Sequence, residues 1–267
     1  MNISVSNIAW NKEENAEALA LLKEHDVNAI DVAPTLLFDS VSDVTQEQIH
    51  EVLRKYQAQD ISIVGMQSLL FGLPEISLFD GNKERKLIEE HLEKVFFIAK
   101  ELKVQNLVFG SPKNRFINDL SIDSEKIAVE FFTKISNLAE KYNVTICLEA
   151  NPKEYGCNFI TNTFEAVDFL KKVNKNNFML NLDTSTIILN NNDFKEVLDY
   201  SKQYIRHVHI SSPNFQEINK IDHEKISKLL NEINFQGYVA LEMKPNINDN
   251  NLETLKRNIS IMTKYYS

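Results

Sequence analysis

Four polar side chains stand at the ends of short apolar runs, and their types are those that proteins use to bind divalent metal ions. They are Glu149, Asp183, His209 and Glu242, and 34, 26 and 33 residues separate them in turn. Three carboxylates brought together without a counter-ion raise one another's pKa, and a divalent cation removes that conflict. Three oxygen ligands with one imidazole suit Mn²⁺ best, with Mg²⁺, Co²⁺ and Zn²⁺ as alternatives. We therefore predict one divalent metal site.

The apolar runs alternate with longer amphipathic stretches along the chain. Eight runs carry the β-branched and aromatic residues typical of strands, at residues 3–5, 29–32, 61–66, 107–109, 145–148, 178–182, 207–210 and 238–241. The clearest helical periodicity falls at residues 84–102, 124–142, 163–173, 223–233 and 251–265. Strands that alternate with helices pair in parallel, and eight such units predict an α/β fold, a closed (β/α)8 TIM barrel.

The chain shows no linker, low-complexity block or hinge rich in proline and glycine, so we predict one catalytic domain over residues 1–267. Catalytic residues of such barrels come from the carboxyl ends of the strands. The separations of the four polar residues are each about one strand–helix unit. All four side chains are therefore expected to project into the same mouth of the barrel.

Composition narrows the classes of function. The net charge of −9 disfavours a nucleic-acid partner, because a negative surface repels the phosphate backbone. The first residues lack a charged segment followed by an apolar one, and no apolar stretch reaches the roughly 20 residues that span a bilayer. We expect a cytoplasmic protein without a membrane partner. Two cysteines, Cys147 and Cys157, give no sign of a disulfide framework.

The sequences around the four polar residues resemble those of a known superfamily. LeuGluAla at 148–150, LeuAspThr at 182–184, HisValHis at 207–209 and LeuGluMet at 241–243 are similar to strand ends of the xylose isomerase-like TIM barrels. The closer resemblance is to the sugar phosphate isomerase/epimerase family, which includes ketose 3-epimerases. This resemblance implies one metal bound by all four side chains and a dimer or tetramer of identical chains.

The resemblance also implies a mechanism in which Glu149 and Glu242 are the catalytic pair. A metal ion that bridges a carbonyl and a hydroxyl makes the adjacent C–H more acidic and stabilises an enediolate. Carboxylates on opposite faces can then remove and return a proton. The expected function is isomerisation or epimerisation of a sugar, sugar phosphate or sugar acid.

The chain departs from the ketose 3-epimerase pattern at two positions that touch substrate in that group. A histidine three residues after the metal-binding aspartate is replaced by Thr186, and an arginine six residues after the metal-binding histidine is replaced by Phe215. These changes argue against a free ketose as the substrate and leave the metal ligands intact.

Other residues near strand ends are candidates for substrate contact. Lys113 and Arg115 follow the fourth strand, and we predict that they clamp a carboxylate or phosphate, although they are also compatible with a pair of solvated loop cations. Further predicted contacts are Asn7, Asp31, Gln67, Asn151, Glu154, Tyr155 and Lys244. We expect His207 to point away from the mouth unless a bulge interrupts its strand.

Three other functions share parts of this pattern. A metal-dependent dehydratase or lyase on an inositol-like or keto-acid-like substrate would use the same four ligands. A DNA-repair endonuclease of this barrel type needs a three-zinc cluster with extra histidines, whereas this chain has six histidines, several of them in helical stretches. A non-catalytic sugar-binding barrel would not require an intact set of ligands.

Overall fold

Eight parallel strands close into a barrel in the order of the chain, with the first strand beside the last. The computed structural model describes residues 1–73, 76–120, 122–245 and 250–267. The strands are β1 (Asn2–Ser6), β2 (Ala29–Val32), β3 (Ser62–Met66), β4 (Asn106–Phe109), β5 (Thr145–Glu149), β6 (Phe178–Asp183), β7 (Ile205–Ser211) and β8 (Tyr238–Glu242). The predicted (β/α)8 barrel is confirmed, and every predicted strand is present.

Helices connect the strands and cover the outside of the barrel. In the described part of the chain they are α1 (Asn15–Glu24), α2 (Pro34–Leu37), α3 (Gln46–Gln57), α4 (Asn82–Glu101), α5 (Ser124–Lys141), α6 (Thr163–Val173), α7 (Thr184–Leu189), α8 (Phe194–Ser201), α9 (His223–Glu232) and α10 (Asn251–Tyr266). All five predicted helices are among them, and none of the described helices is long and apolar enough to cross a bilayer.

The short helix α7 was not predicted, because six residues carry too little periodicity to be recognised. It begins directly after β6, and the side chain of Asp183 accepts a hydrogen bond from the backbone N–H of Thr186. An aspartate in this position satisfies one of the unpaired donors of the first helical turn. A predicted metal ligand therefore also starts a helix.

The barrel interior near its mouth is polar rather than purely aliphatic. Asp31 and His207 lie inside it and are fully buried, and a Cβ added at Gly65 would lie 2.1 Å from Asp31 Oδ2. Glycine at position 65 thus leaves the space that the aspartate occupies. Strand β7 has an irregular register at Arg206, but His207 and His209 beyond it pair regularly with β6.

The expectation for His207 is wrong. Residues two apart in a strand share one face, so His207 enters the barrel together with His209. Their ring centroids are 5.4 Å apart. The irregularity at Arg206 precedes both residues and does not separate them.

An aromatic cluster packs between the barrel and the helices around Phe132 of α5, which is fully buried. The centroid of its ring lies 5.0 Å from that of Phe178 in β6 and 5.2 Å from that of Phe109 in β4. The rings of Phe131 and Phe169 lie 5.3 and 5.4 Å away. Phe132 therefore joins two strands to helices α5 and α6.

Phe132→Ala should lower the free energy of unfolding by about 3–5 kcal/mol, because it removes a buried ring and leaves a cavity. Phe71→Ala is the matched control, since the Phe71 side chain is 70% exposed and its loss should change stability by about 0.5 kcal/mol or less. Urea denaturation measures both. Equal losses would contradict the central position of Phe132.

Candidate metal centre

The four predicted ligands meet at the mouth of the barrel. Glu149, Asp183 and Glu242 are the last residues of β5, β6 and β8, and His209 lies two residues before the end of β7. Each offers one donor atom, and these atoms all lie within 4.8 Å of one another. None of the four residues is more than 9% exposed. The barrel thus brings together four residues from four different strands.

The imidazole of His209 faces the two glutamates through one ring nitrogen. His209 Nδ1 lies 3.3 Å from Glu149 Oε2 and 3.5 Å from Glu242 Oε2, and it makes no hydrogen bond among the described residues. A buried nitrogen without a partner, set among carboxylates, is what a metal ligand provides before it is coordinated. The donor set, one imidazole and three carboxylates, fits a divalent ion.

Hydroxyl and amide donors hold Asp183. Ser185 Oγ and the backbone N–H of Thr186 each donate to its Oδ1 over 2.7 Å, and Ser211 Oγ donates to Oδ2. Burial and the negative charges of Glu149 and Glu242 nevertheless raise the pKa of Asp183 to about 7. The two hydroxyl bonds lower that pKa only in part. Without a cation, the site retains a proton near neutral pH.

Side-chain amides hold the two glutamates. Asn151 Nδ2 donates a hydrogen bond to Glu149 Oε1 over 3.0 Å, and Asn181 Nδ2 donates one to Glu149 Oε2 over 2.6 Å. Gln67 Nε2 donates a hydrogen bond to Glu242 Oε1 over 2.7 Å. Burial opposes ionisation of Glu149, but the nearby charge of His209 and the hydrogen bond from Asn151 lower its pKa overall. These neutral donors fix the carboxylates without neutralising them.

Gly110 allows Glu149 to lie against β4. A Cβ added at position 110 would lie 2.6 Å from Glu149 Oε1, which is closer than real Cβ contacts. The glycine directly follows β4 and therefore borders the mouth. A side chain at this position would displace Glu149, one of the predicted metal ligands.

Arg115 is placed differently from a surface clamp. It is fully buried, and its Nη2 donates to Asn151 Oδ1 over 2.6 Å, so it supports the amide that holds Glu149. Lys113 is exposed. The two cations that were predicted to form one clamp therefore lie in different environments, one buried against Asn151 and the other exposed.

Tyr155, Phe215 and Lys244 form a group that we call the rim cluster. The rings of Tyr155 and Phe215 stack with centroids 6.1 Å apart and planes 12° apart, and Lys244 Nζ lies 4.6 Å from the centroid of Phe215. The Tyr155 hydroxyl donates to Ser185 Oγ over 3.4 Å and accepts the Asn214 N–H over 3.0 Å. Ser185 in turn holds Asp183, so a hydrogen-bonded path joins the rim cluster to a metal ligand.

Phe215 in this cluster has a strained backbone, and Asn214 before it shares the left-handed conformation. Phe215 has φ of 56° and Asn214 has φ of 59°, in the left-handed region that bulky residues rarely adopt. Such strain persists only where surrounding contacts hold it, and it concentrates at functional sites. The Tyr155 hydroxyl and the stacked ring supply those contacts here.

The remaining predicted contacts are spread around the mouth. Asn7 Oδ1 accepts the backbone N–H of Ala33 over 2.8 Å and so holds the loop after β2. Glu154 is exposed. Gln67 and Asp31 are buried and bind protein groups, Glu242 and His207 respectively. Gln67 therefore supports a predicted metal ligand, whereas Asp31 binds a histidine that is not one of the four.

Sequence reasoning missed Asn181 and Ser211, which bind Glu149 and Asp183. A signal for both was present. Asn181 lies two residues before Asp183 and Ser211 two residues after His209, so each shares a strand face with a predicted ligand.

The comparison with known families decides the family. A family model described as xylose isomerase-like TIM barrel matches residues 19–265. The chain belongs to this family. The xylose isomerase-like assignment agrees with the resemblance drawn from the strand ends. No functionally curated protein matches the chain by sequence.

Solved structures of two sugar epimerases and a sugar phosphate isomerase/epimerase superpose on almost the whole chain. An L-ribulose 3-epimerase has a TM-score of 0.84 at 15% identity and covers 100% of this chain and 95% of its own. The 3-keto-D-glucoside 4-epimerase of E. coli has a TM-score of 0.80 at 16% identity and covers 99% of both chains. A sugar phosphate isomerase/epimerase from Parabacteroides distasonis has a TM-score of 0.74 at 14% identity, with coverage of 98% and 93%. At these identities the likeness establishes the shared fold.

Metal binding should weaken as the pH falls below 7. The metal-free protein holds a proton on Asp183, with a pKa of about 7, and another on His209. Burial lowers the pKa of His209, but Glu242, Asp31 and Glu149 together raise it well above its usual value. A metal ion must displace both protons, so the Kd for Mn²⁺ should increase by more than about tenfold between pH 7 and pH 6.

Isothermal titration calorimetry of the metal-stripped protein at several pH values measures this slope. Asp183→Asn removes one of the two protons, so it should give a shallower slope whatever its absolute affinity. A Kd that does not change between pH 6 and pH 7 would contradict the proton competition.

Proposed function

We propose that this chain is a divalent-metal-dependent isomerase or epimerase of a small carbohydrate, working by proton transfer through an enediolate between Glu149 and Glu242. The observation that carries the proposal is the placement of these two glutamates. Their carboxylates reach one buried imidazole nitrogen, His209 Nδ1, from strands β5 and β8, at 3.3 and 3.5 Å. The superposed proteins, which are named as sugar epimerases and a sugar phosphate isomerase/epimerase, support the same class of substrate.

The residues of the chain would divide the work as follows. Glu149, Asp183, His209 and Glu242 would hold the metal, which when bound supplies the Lewis acidity that polarises a substrate carbonyl. One glutamate would remove the proton from the carbon beside that carbonyl. Return of a proton to the same carbon from the opposite face would give an epimer, and return to the neighbouring carbon an isomer.

The amide donors would orient the two bases. Asn151 and Asn181 fix both oxygens of Glu149, whereas Gln67 fixes one oxygen of Glu242. A carboxylate that is held in place loses less freedom when it approaches a substrate carbon, and proton transfer depends on that alignment. The surrounding chain would thus contribute orientation rather than charge.

We propose Mn²⁺ as the metal, and residues 1–267 as one catalytic unit. The donor set holds three carboxylates, and oxygen-rich sites favour hard ions such as Mn²⁺ and Mg²⁺, while the single imidazole favours Mn²⁺ over Mg²⁺.

We further propose that the substrate carries a negative group. Lys244 is exposed in the rim cluster, and its Nζ lies over the face of Phe215 without an ion pair among the described residues. Thr186, at the position where ketose 3-epimerases carry a substrate-binding histidine, is buried and donates its hydroxyl to the carbonyl of Ala150. The cation of the rim cluster therefore suits a phosphate or carboxylate better than it suits a neutral hydroxyl.

Exchange of substrate hydrogen with solvent tests the reaction. The Mn²⁺-loaded protein is incubated in D₂O with ketoses, sugar phosphates and keto acids, and proton NMR follows the loss of C–H signals. Glu149→Gln and Glu242→Gln should each reduce exchange by at least about a hundredfold, since each lacks one base. Glu196→Gln, on the exposed surface of α8, is the control and should exchange at the wild-type rate.

The products separate the alternatives. Exchange with retention of all carbons and oxygens supports the isomerase or epimerase. Exchange accompanied by loss of water identifies the dehydratase instead. Exchange that survives both glutamine variants contradicts proton transfer by these glutamates.

Removal of the Lys244 charge tests the anionic substrate. Lys244→Met should raise the KM of a charged substrate by about tenfold and leave that of its uncharged analogue nearly unchanged, because a charged hydrogen bond is lost at an exposed rim. Lys202→Met is the matched control, because Lys202 lies three residues before β7 begins and thus at the opposite end of the barrel. Equal effects on both substrates would contradict the charge recognition.

A further inference from the structure

A second polar cluster lies inside the barrel and shares one residue with the predicted metal ligands, and the proposed reaction gives its other residues no role. We call it the Asp31 cluster, and it consists of Ser4, Asp31, His207 and His209. All four residues are 0% exposed. Ser4 Oγ donates to Asp31 Oδ1 over 2.9 Å, and His207 Nε2 lies 2.6 Å from Asp31 Oδ2. The cluster shares His209 with the metal centre.

The position of the Asp31 carboxylate is strongly restrained. Its two oxygens have separate partners, Ser4 and His207. Gly65 leaves the space for Oδ2, where a Cβ would come within 2.1 Å. The register between β2 and β3 shifts between Ile30 and Asp31, at the point where the aspartate enters the barrel. A buried carboxylate costs stability unless it is hydrogen-bonded and paired, and Ser4 and His207 supply those partners here.

The two ring nitrogens of His209 face different groups. Nδ1 faces Glu149 and Glu242, whereas Nε2 lies 3.7 Å from Asp31 Oδ2 and makes no hydrogen bond among the described residues. A neutral imidazole carries its proton on one nitrogen and offers a lone pair on the other. A nitrogen that binds a metal must keep its lone pair, so the proton must reside on the opposite nitrogen. When a cation offsets the charges of the two glutamates on the Nδ1 side, Asp31 is the carboxylate that remains to attract the proton to Nε2, and both side chains are fully buried.

We propose that Asp31 is a positioning residue: when metal binding displaces the proton on Nδ1 of His209, Asp31 keeps the remaining proton on Nε2 and so leaves the lone pair of Nδ1 to the metal. Ser4 and His207 hold the Asp31 carboxylate in place beside His209. The separation of 3.7 Å exceeds a hydrogen bond, so the interaction is electrostatic, and full burial of both side chains weakens its screening. The inference rests on the proposed metal site, but it does not depend on which carbohydrate is the substrate.

A metal ion bound by the Asp31 cluster itself is the competing explanation. Donor atoms of Asp31, His207 and His209 do lie within 4.8 Å of one another. The separation of 2.6 Å between His207 Nε2 and Asp31 Oδ2 is that of a hydrogen bond, however, and two ligands of one ion, each about 2.1 Å from it, stand farther apart. Four ligands already surround the neighbouring site, so the geometry favours a hydrogen-bonded support.

Metal affinity of the full chain tests the proposal. Asp31→Asn retains the size of the side chain and removes its charge, and the Kd for Mn²⁺ should rise by about tenfold to a hundredfold. Calorimetry on the metal-stripped protein should find one ion per chain for the wild type and the variant. An unchanged Kd would overturn the proposal. Two ions in the wild type and one in the variant would overturn it in favour of the second metal site.

A milder pair of variants covers the case in which Asp31→Asn fails to fold. Ser4→Ala removes only the hydrogen bond to Asp31 Oδ1 and should raise the Kd for Mn²⁺ by about twofold to fivefold. Ser201→Ala is the matched control, because Ser201 is equally buried in α8 and its hydroxyl binds the carbonyl of Val197. Equal affinities for these two variants and the wild type would count against the proposal.

Nitrogen-15 NMR of the wild-type protein loaded with Zn²⁺ gives an independent reading without any substitution. The expected result is a proton on His209 Nε2 and a metal shift on Nδ1. The opposite tautomer would overturn the proposal. Because these measurements need no substrate, a failure of hydrogen exchange on sugars would refute the proposed reaction and leave the role of Asp31 standing.

Discussion

The mutual repulsion of three buried carboxylates is the constraint on which the mouth of this barrel depends. Glu149, Asp183 and Glu242 are held within a few ångströms of one another, at no more than 9% exposure. The surrounding chain supplies mainly neutral donors: amides of asparagine and glutamine, two serine hydroxyls and one backbone N–H. Such donors fix direction and leave the negative charge largely in place. This arrangement of carboxylates therefore suits a bound cation, which would offset the negative charge that the neutral donors leave in place.

The strand ends show how far the sequence predicts this arrangement. Glu149, Asp183 and Glu242 each close an apolar run, and His209 lies near the end of another. The alternation of these runs with helical stretches places all four at one end of a barrel, so the fold and the position of the predicted ligands follow from the pattern alone. The residues that hydrogen-bond the predicted ligands do not follow from this pattern. Asn181 and Ser211 share a face with predicted ligands, but which groups they bind depends on strand register, including an irregularity between β6 and β7 that no local pattern reveals. His207 was misplaced because the two-residue period of a strand puts it beside His209, not opposite it.

The side of the site that would meet a substrate was harder to predict. Arg115 and Lys113 are neighbours in sequence, yet one is buried against Asn151 and the other is exposed. Burial of a loop side chain depends on which other loops cover it, and here Leu78 and Asn114 join two of them through a backbone hydrogen bond. The rim cluster likewise combines residues from three separate loops. Because these residues are far apart in the sequence, their contacts could not be predicted from it. The fold and the position of the predicted ligands thus follow from a repeated strand–helix unit. The residues that would contact a substrate depend instead on how distant loops pack together.

Asp183 has two roles, as the N-cap of α7 and as a predicted metal ligand, and this bears on how the sequence would evolve. One of its oxygens caps helix α7, so a substitution there would lose a helix start as well as a ligand. Selection for folding would retain this aspartate even in a descendant that had abandoned catalysis. Glu242 receives one amide and starts no helix, so it would be free to drift much sooner. Among related sequences, an aspartate at the end of the sixth strand is therefore weak evidence of activity, and a glutamate at the end of the eighth is the more informative marker.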